Sequence, residues 1–245
     1  MRYLPLLALL VLAGCADSSD APEADATTTD SGDPAEASGA PADLAALGSN
    51  AVETVLQNSL VHVHRVTLAA GDSLASHDGG ERVVYALDEL PSLQFVTDGE
   101  TEERSFARGE VHRHGAGVHS VTNTSNLLAQ FVIFERREGA LPTTPEGDTG
   151  LGEPGAGVTD EVLLDDDFAE VHRVTLQPGA QLPPHRGYAR AIYSLSGYTV
   201  EFTGPDGTRE QRFEAGEAHY HEPGDHTVEN AGDTVAEFLV VEFKR

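Results

Sequence analysis

The hexapeptide Val-His-Arg-Val-Thr-Leu stands at residues 63–68 and again at 171–176, and this repeat constrains the fold more than any other feature. At the same offset of 108 residues, Gly71 matches Gly179, His77 matches His185, Arg82 matches Arg190 and Tyr85 matches Tyr193. The offset then slips to 107, where Gly109, His112, His114, His119 and Asn123 match Gly216, His219, His221, His226 and Asn230. Ten of the eleven histidines fall into five pairs, and only His62 has no counterpart. Chance does not distribute so infrequent a residue this way. The body of the chain is one module written twice, head to tail.

Each copy is a series of short apolar runs separated by turn residues. In the second copy VHRVTL is followed by Gln-Pro-Gly, AIYSL, Ser-Gly, YTVEF, Gly-Pro-Asp-Gly, EQRF, a turn at Ala215-Gly216, TVEN and AEFLVVEF. Runs of this length, with no sustained helical period, predict an antiparallel all-β sandwich or barrel. Pro205-Asp206-Gly207 has the composition of a hairpin turn. The expected division is a leader over 1–15, an acidic disordered linker over 16–47, a first barrel over 48–138, a Pro/Gly-rich linker over 139–158 and a second barrel over 159–245.

The leader, MRYLPLLALLVLAGC, has a positive start at Arg2 and an apolar run from Leu4 to Leu12 that is too short for a permanent membrane span. Its end, Leu12-Ala13-Gly14-Cys15, resembles the lipobox of bacterial lipoproteins. That resemblance implies cleavage before Cys15, lipidation of its thiol, and a membrane partner reached through the lipid. The alternative is an ordinary secretory signal with a chance cysteine. Either way the expected location is extracytoplasmic, in the cell envelope: the periplasmic face or the outer membrane in a Gram-negative cell. Ala16 lacks the aspartate that would argue for inner-membrane retention there. Cys15 is the only cysteine, so no disulfide forms within the chain and the core alone must hold the fold. The stretch that follows, rich in Ala, Asp, Ser, Thr, Pro and Glu, reads as a tether. With 41 acidic against 15 basic residues and a net charge of −26, nucleic acid is not an expected partner.

Two stretches of each copy resemble the motifs of the cupin superfamily, G-x5-H-x-H-x3,4-E-x6-G and G-x5-P-x-G-x2-H-x3-N. Gly71-x5-His77 and Gly179-x5-His185 follow the start of the first motif, and His119-x3-Asn123 and His226-x3-Asn230 follow the end of the second. The resemblance implies a bicupin, two jelly-roll (double-stranded β-helix) barrels in tandem. It also implies one divalent metal per barrel (Zn, Fe, Mn, Ni or Cu), held by two motif-one histidines, a glutamate and the motif-two histidine. Both copies depart from that ligand set at the same two slots. Gly79 and Gly187 stand where the second histidine belongs, and Arg82 and Arg190 replace the glutamate. A guanidinium cannot donate electrons to a metal.

Replacement ligands are available in the sequence. His112 and His114, like His219 and His221, are two residues apart, and i and i+2 on a strand share a face. With that face inward, His77, His112, His114 and His119 would gather in one barrel, and His185, His219, His221 and His226 in the other. Neutral imidazole suits Zn, Cu, Fe and Ni. His64 and His172 share a strand face with Val66 and Leu68, or with Val174 and Leu176, and are expected to point inward too. Arg82 and Arg190 are candidates to bind a small carboxylate or phosphate, or else form structural ion pairs. Tyr85 and Tyr193 are the adjoining ligand candidates, with core packing as their other reading. Three functions are open: a metal-dependent enzyme whose catalytic residues the sequence does not name, a non-catalytic binding module for a small anion, and a structural envelope protein.

Overall fold

The computed structural model describes residues 43, 44, 47, 50–137, 151 and 154–244, all within one compact unit, Ala40–Arg245. Cys15, its leader and most of the acidic stretch lie outside the described residues. Among the described residues the regular structure is β, in eighteen strands. The first nine are β1 (Val52–Gln57), β2 (Val61–Leu68), β3 (Ser73–Gly79), β4 (Arg82–Ala86), β5 (Leu90–Thr97), β6 (Glu100–Phe106), β7 (Val111–His114), β8 (Gly117–Asn123) and β9 (Ala129–Arg136). The second nine are β10 (Val158–Asp165), β11 (Ala169–Leu176), β12 (Gln181–Gly187), β13 (Arg190–Ser194), β14 (Tyr198–Gly204), β15 (Gly207–Phe213), β16 (Ala218–His221), β17 (Gly224–Asn230) and β18 (Ala236–Phe243).

The duplication is reproduced strand for strand. The first copy pairs a five-stranded sheet, β1-β2-β9-β4-β7, with a four-stranded sheet, β3-β8-β5-β6. In the second copy the orders are β10-β11-β18-β13-β16 and β12-β17-β14-β15, the same topology shifted by nine. In each copy side chains of both sheets fill the space between them. Val66, Val84 and Phe131 meet Leu74, Leu93 and Val121 in the first barrel, and Val174, Ile192 and Phe238 meet Leu182, Val200 and Phe213 in the second.

A third core joins the barrels. Val61, Val63, Val83, Tyr85, Val132 and Phe134 from the first copy pack against Phe168, Val171, Ala191, Tyr193, Leu239 and Val241 from the second. Each five-stranded sheet is therefore buried on both faces. On β2, Val61 and Val63 face the partner barrel while Val66 and Leu68 face their own interior. Such strands read as unbroken apolar runs, because alternation marks a strand only where one face is wet. Reciprocal bonds cross the same interface: Tyr85 with Arg173, and Tyr193 with Arg65.

The packed chain begins before residue 48. Leu44, assigned by sequence to the acidic linker, is only 2% exposed and lies in the core of the first barrel, with Leu47 against it. Asp43 beside it bridges to Asp78 and pairs with Arg137 at 3.2 Å. Leu151, from the stretch read as the linker between barrels, is buried in the second core in the same manner. The two leucines are 107 residues apart, so the duplicated unit includes its N-terminal arm.

Phe134 is fully buried in the shared core, edge-on to Tyr193 with ring centroids 6.4 Å apart. Phe134→Ala is expected to cost about 3–5 kcal/mol of unfolding free energy. Urea unfolding followed by fluorescence or circular dichroism measures it, and a loss under about 1 kcal/mol would mean that the interface is not a core.

Candidate functional site

One feature of β3 and β12 positions the first histidine of each barrel. Leu74 and His77 are three residues apart, which on a regular strand would put them on opposite faces. A register shift between them, a β-bulge in the pairing with β8, lets both face inward, and the same shift separates Leu182 from His185. Pro183 and Pro184 fall inside the second irregularity, a place where a sheet tolerates proline. His77 then lies opposite His119 on β8, with ring centroids 4.2 Å apart, and His185 lies opposite His226 at 4.1 Å.

The paired short strands complete the cluster. β7 runs beside β4 with His112 opposite Val84 and His114 opposite Arg82, so the histidines share the inward face of those residues. β16 repeats this with His219 opposite Ile192 and His221 opposite Arg190. In the first barrel His77, Arg82, His112, His114 and His119 line a cavity of about 20 Å³, and Arg82, Arg104, His114 and His119 line a wider mouth of about 200 Å³. In the second barrel His185, Arg190, His219, His221 and His226 line a cavity of about 40 Å³. A water needs at least ~10–15 Å³ of such space, so each interior holds only a few atoms.

All eight imidazoles are held neutral. Burial is the leading cause at each, and the positive arginine of the same barrel adds to it. His112 and His219 titrate at about 4, His114, His119 and His226 at about 3, and His221 at about 2. Their tautomers follow from backbone contacts. His77 Nδ1 donates to the carbonyl of Ala75 at 2.8 Å and His185 Nδ1 to that of Pro183 at 2.7 Å. His119 and His226 donate in the same way to Gly117 (3.3 Å) and Gly224 (3.1 Å). In each pair the Nε2 lone pair is left as an acceptor.

The arginines answer one of those lone pairs. Arg82 Nη2 donates to His119 Nε2 at 2.8 Å, and Arg190 Nη2 donates to His226 Nε2 at 2.6 Å. Nη1 donates to the carbonyl of Gly80 (2.8 Å) or of Tyr188 (2.9 Å). The guanidinium groups are 4% and 2% exposed at residue level, and Glu135 and Glu242 face them across the adjoining strand. Burial dominates over those carboxylates, lowering Arg82 and bringing Arg190 down to about 10. Burial likewise raises Glu242.

The eight histidines therefore gather four to a barrel, as the strand spacing predicts, yet they do not converge on one point. Among the described residues no three His, Cys, Asp or Glu side chains could hold a metal ion together. In each barrel the guanidinium also takes the Nε2 lone pair of the motif-two histidine. A divalent ion does not fit this arrangement of the site.

The other candidates separate. His64 and His172 do point inward, in the same cross-strand rows as Val84 and His112 and as Ile192 and His219, but two strands across the sheet from β4 and β13. His64 Nδ1 contacts Thr54 Oγ1 at 3.0 Å. His172 bonds Asp160 at 2.7 Å and Glu170 at 2.9 Å, which outweighs the opposing effect of burial and raises it. Tyr85 and Tyr193 are not pocket residues. They sit on the outer face of their strands in the inter-barrel core, since Arg82 and Val84 occupy the inner face of β4. Asn123 and Asn230 hold loop carbonyls, at Leu68 and Leu127 and at Leu176 and Thr234.

The sequence reading missed the aromatic walls. Phe106 stacks on His112 and Phe213 on His219, each with centroids 4.1 Å apart, while Phe95 and Phe202 stand 5.3 Å from His114 and His221. These phenylalanines recur at the offset of 107, as do Glu135 and Glu242, so the repeat itself carried the signal.

The comparisons with known proteins agree with this geometry. The family model of the cupin domain matches residues 172–242. No curated protein matches the chain in sequence. Among solved structures, the oxalate decarboxylase of Bacillus subtilis, studied for its Mn(II) centres, aligns with a TM-score of 0.58 and 17% identity over 79% of this chain and 72% of its own. AerE from Microcystis aeruginosa aligns with a TM-score of 0.55 and 15% identity over 79% of this chain and 97% of its own. At such identities the likeness is one of fold.

The neutral imidazoles set a pH dependence. A depressed pKa means that the unfolded chain binds protons first as pH falls, so the stability present above about pH 6.5 is lost toward the folded pKa values. His172 is raised and works in the opposite sense, but it is one group against ten, since His62 and His64 are lowered as well. Thermal melts are expected to show Tm falling steadily from pH 7 to pH 4.5, and a flat profile would mean that the rings are not buried neutral. By fold, both halves of the chain are jelly-roll barrels of the kind seen in those solved structures, and by sequence residues 172–242 match the cupin domain.

Proposed function

We propose that each barrel captures a small anionic molecule, a carboxylate above all, on its buried arginine. The observation that carries this is a guanidinium buried to within a few per cent whose short hydrogen bonds go to a carbonyl and a neutral imidazole. Its charge is balanced through space, by Glu135 (itself paired with Arg137) and Asp78 in the first barrel and by Glu242 in the second. An incoming carboxylate would supply the missing charge-assisted bonds. The mouth of the first barrel also holds Arg104, paired with Glu102 at 2.8 Å, and Arg209 lies over Phe202 in the second barrel, 4.5 Å from the ring centroid. Interior cavities of about 20 and 40 Å³ restrict what enters to a carboxylate head or a molecule of a few atoms.

A competing reading is a divalent metal on the imidazoles. The cupin fold favours it, as do imidazole nitrogens buried without a hydrogen-bond partner on His112, His185 and His219. It requires the guanidinium to leave His119 or His226. Titration calorimetry with oxalate, malonate and inorganic phosphate, beside elemental analysis of the purified protein, separates the two. Anion binding to metal-free protein is expected, weakened about 10- to 100-fold by Arg82→Gln in one barrel or Arg190→Gln in the other. No binding by any of the three, with a stoichiometric metal present, would sink anion capture.

We further propose that Cys15 carries a lipid and tethers the barrels at the outer face of a bacterial membrane. This reading is supported by Leu-Ala-Gly-Cys at the end of an apolar leader and by the acidic stretch that follows. The full chain is expected to partition into the detergent phase of a Triton X-114 extract, and Cys15→Ser to leave it in the aqueous phase. Equal partitioning of the two would overturn the anchor.

A further inference from the structure

The two departures from the cupin ligand pattern touch one another. A Cβ built on Gly79 would come 2.4 Å from Arg82 Nη1, and one on Gly187 would come 1.8 Å from Arg190 Nη1. Neither glycine is among the positive-φ residues, so backbone freedom does not explain them. What they supply is room. With any side chain at 79 or 187, the guanidinium could not lie where it does. The position that resembles the second metal-ligand histidine is thus the seat of the group that replaces the glutamate ligand.

We infer that the Gly79–Arg82 and Gly187–Arg190 pairs are single devices that install a guanidinium as the resident cation of each barrel, in place of a divalent metal. The rest of the site is consistent with this. Four Nδ1 atoms are tied to backbone carbonyls two residues upstream, which turns the Nε2 lone pairs of His77, His119, His185 and His226 toward the cavity. Such a set of acceptors needs a positive donor. Arg82 and Arg190 provide one from within the chain, at 2.8 and 2.6 Å from the motif-two Nε2. The consequence is a pocket whose charge is covalently part of the protein and cannot be lost to a chelator. This concerns what the arginines replace, and it stands whether or not an anion binds beside them.

A double-mutant cycle in the full chain tests the seat. Gly79→Ala is expected to lower Tm by several degrees in the wild-type background and to cost little beside Arg82→Met, whose side chain can leave the spot. Equal losses in the two backgrounds would overturn the pairing, and the same cycle at Gly187 and Arg190 repeats the test in the second barrel. Reversal tests the replacement. Wild type, stripped and then titrated with Zn²⁺ or Mn²⁺, is expected to show no stoichiometric site. The folded double variant Gly79→His/Arg82→Glu is expected to gain one ion in its barrel. A wild-type site of one ion per barrel, unchanged by Arg82→Met, would overturn the inference, as would a folded double variant that gains none. Failure of carboxylate binding alone leaves these results untouched and bears only on anion capture.

Discussion

Burial of the five-stranded sheets on both faces is the constraint from which most of this structure follows. A jelly roll alone would present that sheet to water and alternate apolar with polar residues along each strand. Here β2, β4, β9 and their counterparts β11, β13, β18 close a shared core between the barrels, lined by Phe134, Tyr193, Leu239 and Val241. Two consequences bear on the site. The outward face of β4 and β13 is committed to the interface, so Tyr85 and Tyr193 are unavailable to a ligand, and the inward face is left to Arg82 and Arg190. The barrels also cannot shift freely against each other, which fixes the strands that carry the pocket residues.

Inside each barrel the governing interaction is between a neutral imidazole and a buried guanidinium. Desolvation alone would make either group costly. Together they satisfy each other, because the Nδ1 contacts to Gly117 and Gly224 leave Nε2 of His119 and His226 as acceptors. The buried glutamates on β9 and β18 complete the balance from behind. Removing charge from one layer would disturb the next, so imidazole, guanidinium and carboxylate act as one unit.

Comparison of the copies made much of this legible before any coordinates. The repeat located most of the barrel strands, though not β10 or β12, and the HxH spacing put His112 and His114, like His219 and His221, on one shared face, which the structure turns inward. The His64 and His172 faces were legible for the same reason, a shared parity with Val66 and Val174. Tyr85 and Tyr193 were not, because a strand apolar on both sides gives no sign of which side is the interior. Leu44 and Leu151 were hidden by their company, single leucines in stretches of Ala, Pro, Gly and acids that carry no strand pattern. Spacing also cannot express the guanidinium that holds one imidazole of each barrel. The sequence displays four potential ligands per barrel but not the arginine side chain that lies among them.

The two copies have kept the pocket residues and changed a neighbour in the arginine's own row. In the pocket, six histidine, arginine and glycine positions and the stacking phenylalanines are identical between copies, down to hydrogen bonds of nearly the same length. Two strands across from the arginine, in the same row, His62 of the first copy is matched by Glu170 of the second. The chemistry there inverts. His64 has burial as its main influence, with His62 opposing its charge, and titrates at about 4, whereas His172 lies between Asp160 and Glu170 and is raised. Each barrel thus keeps a desolvated guanidinium bonded to a neutral imidazole while the residue at the other end of the same cross-strand row changes from basic to acidic, so the arginine–histidine bond does not depend on the charge two strands away.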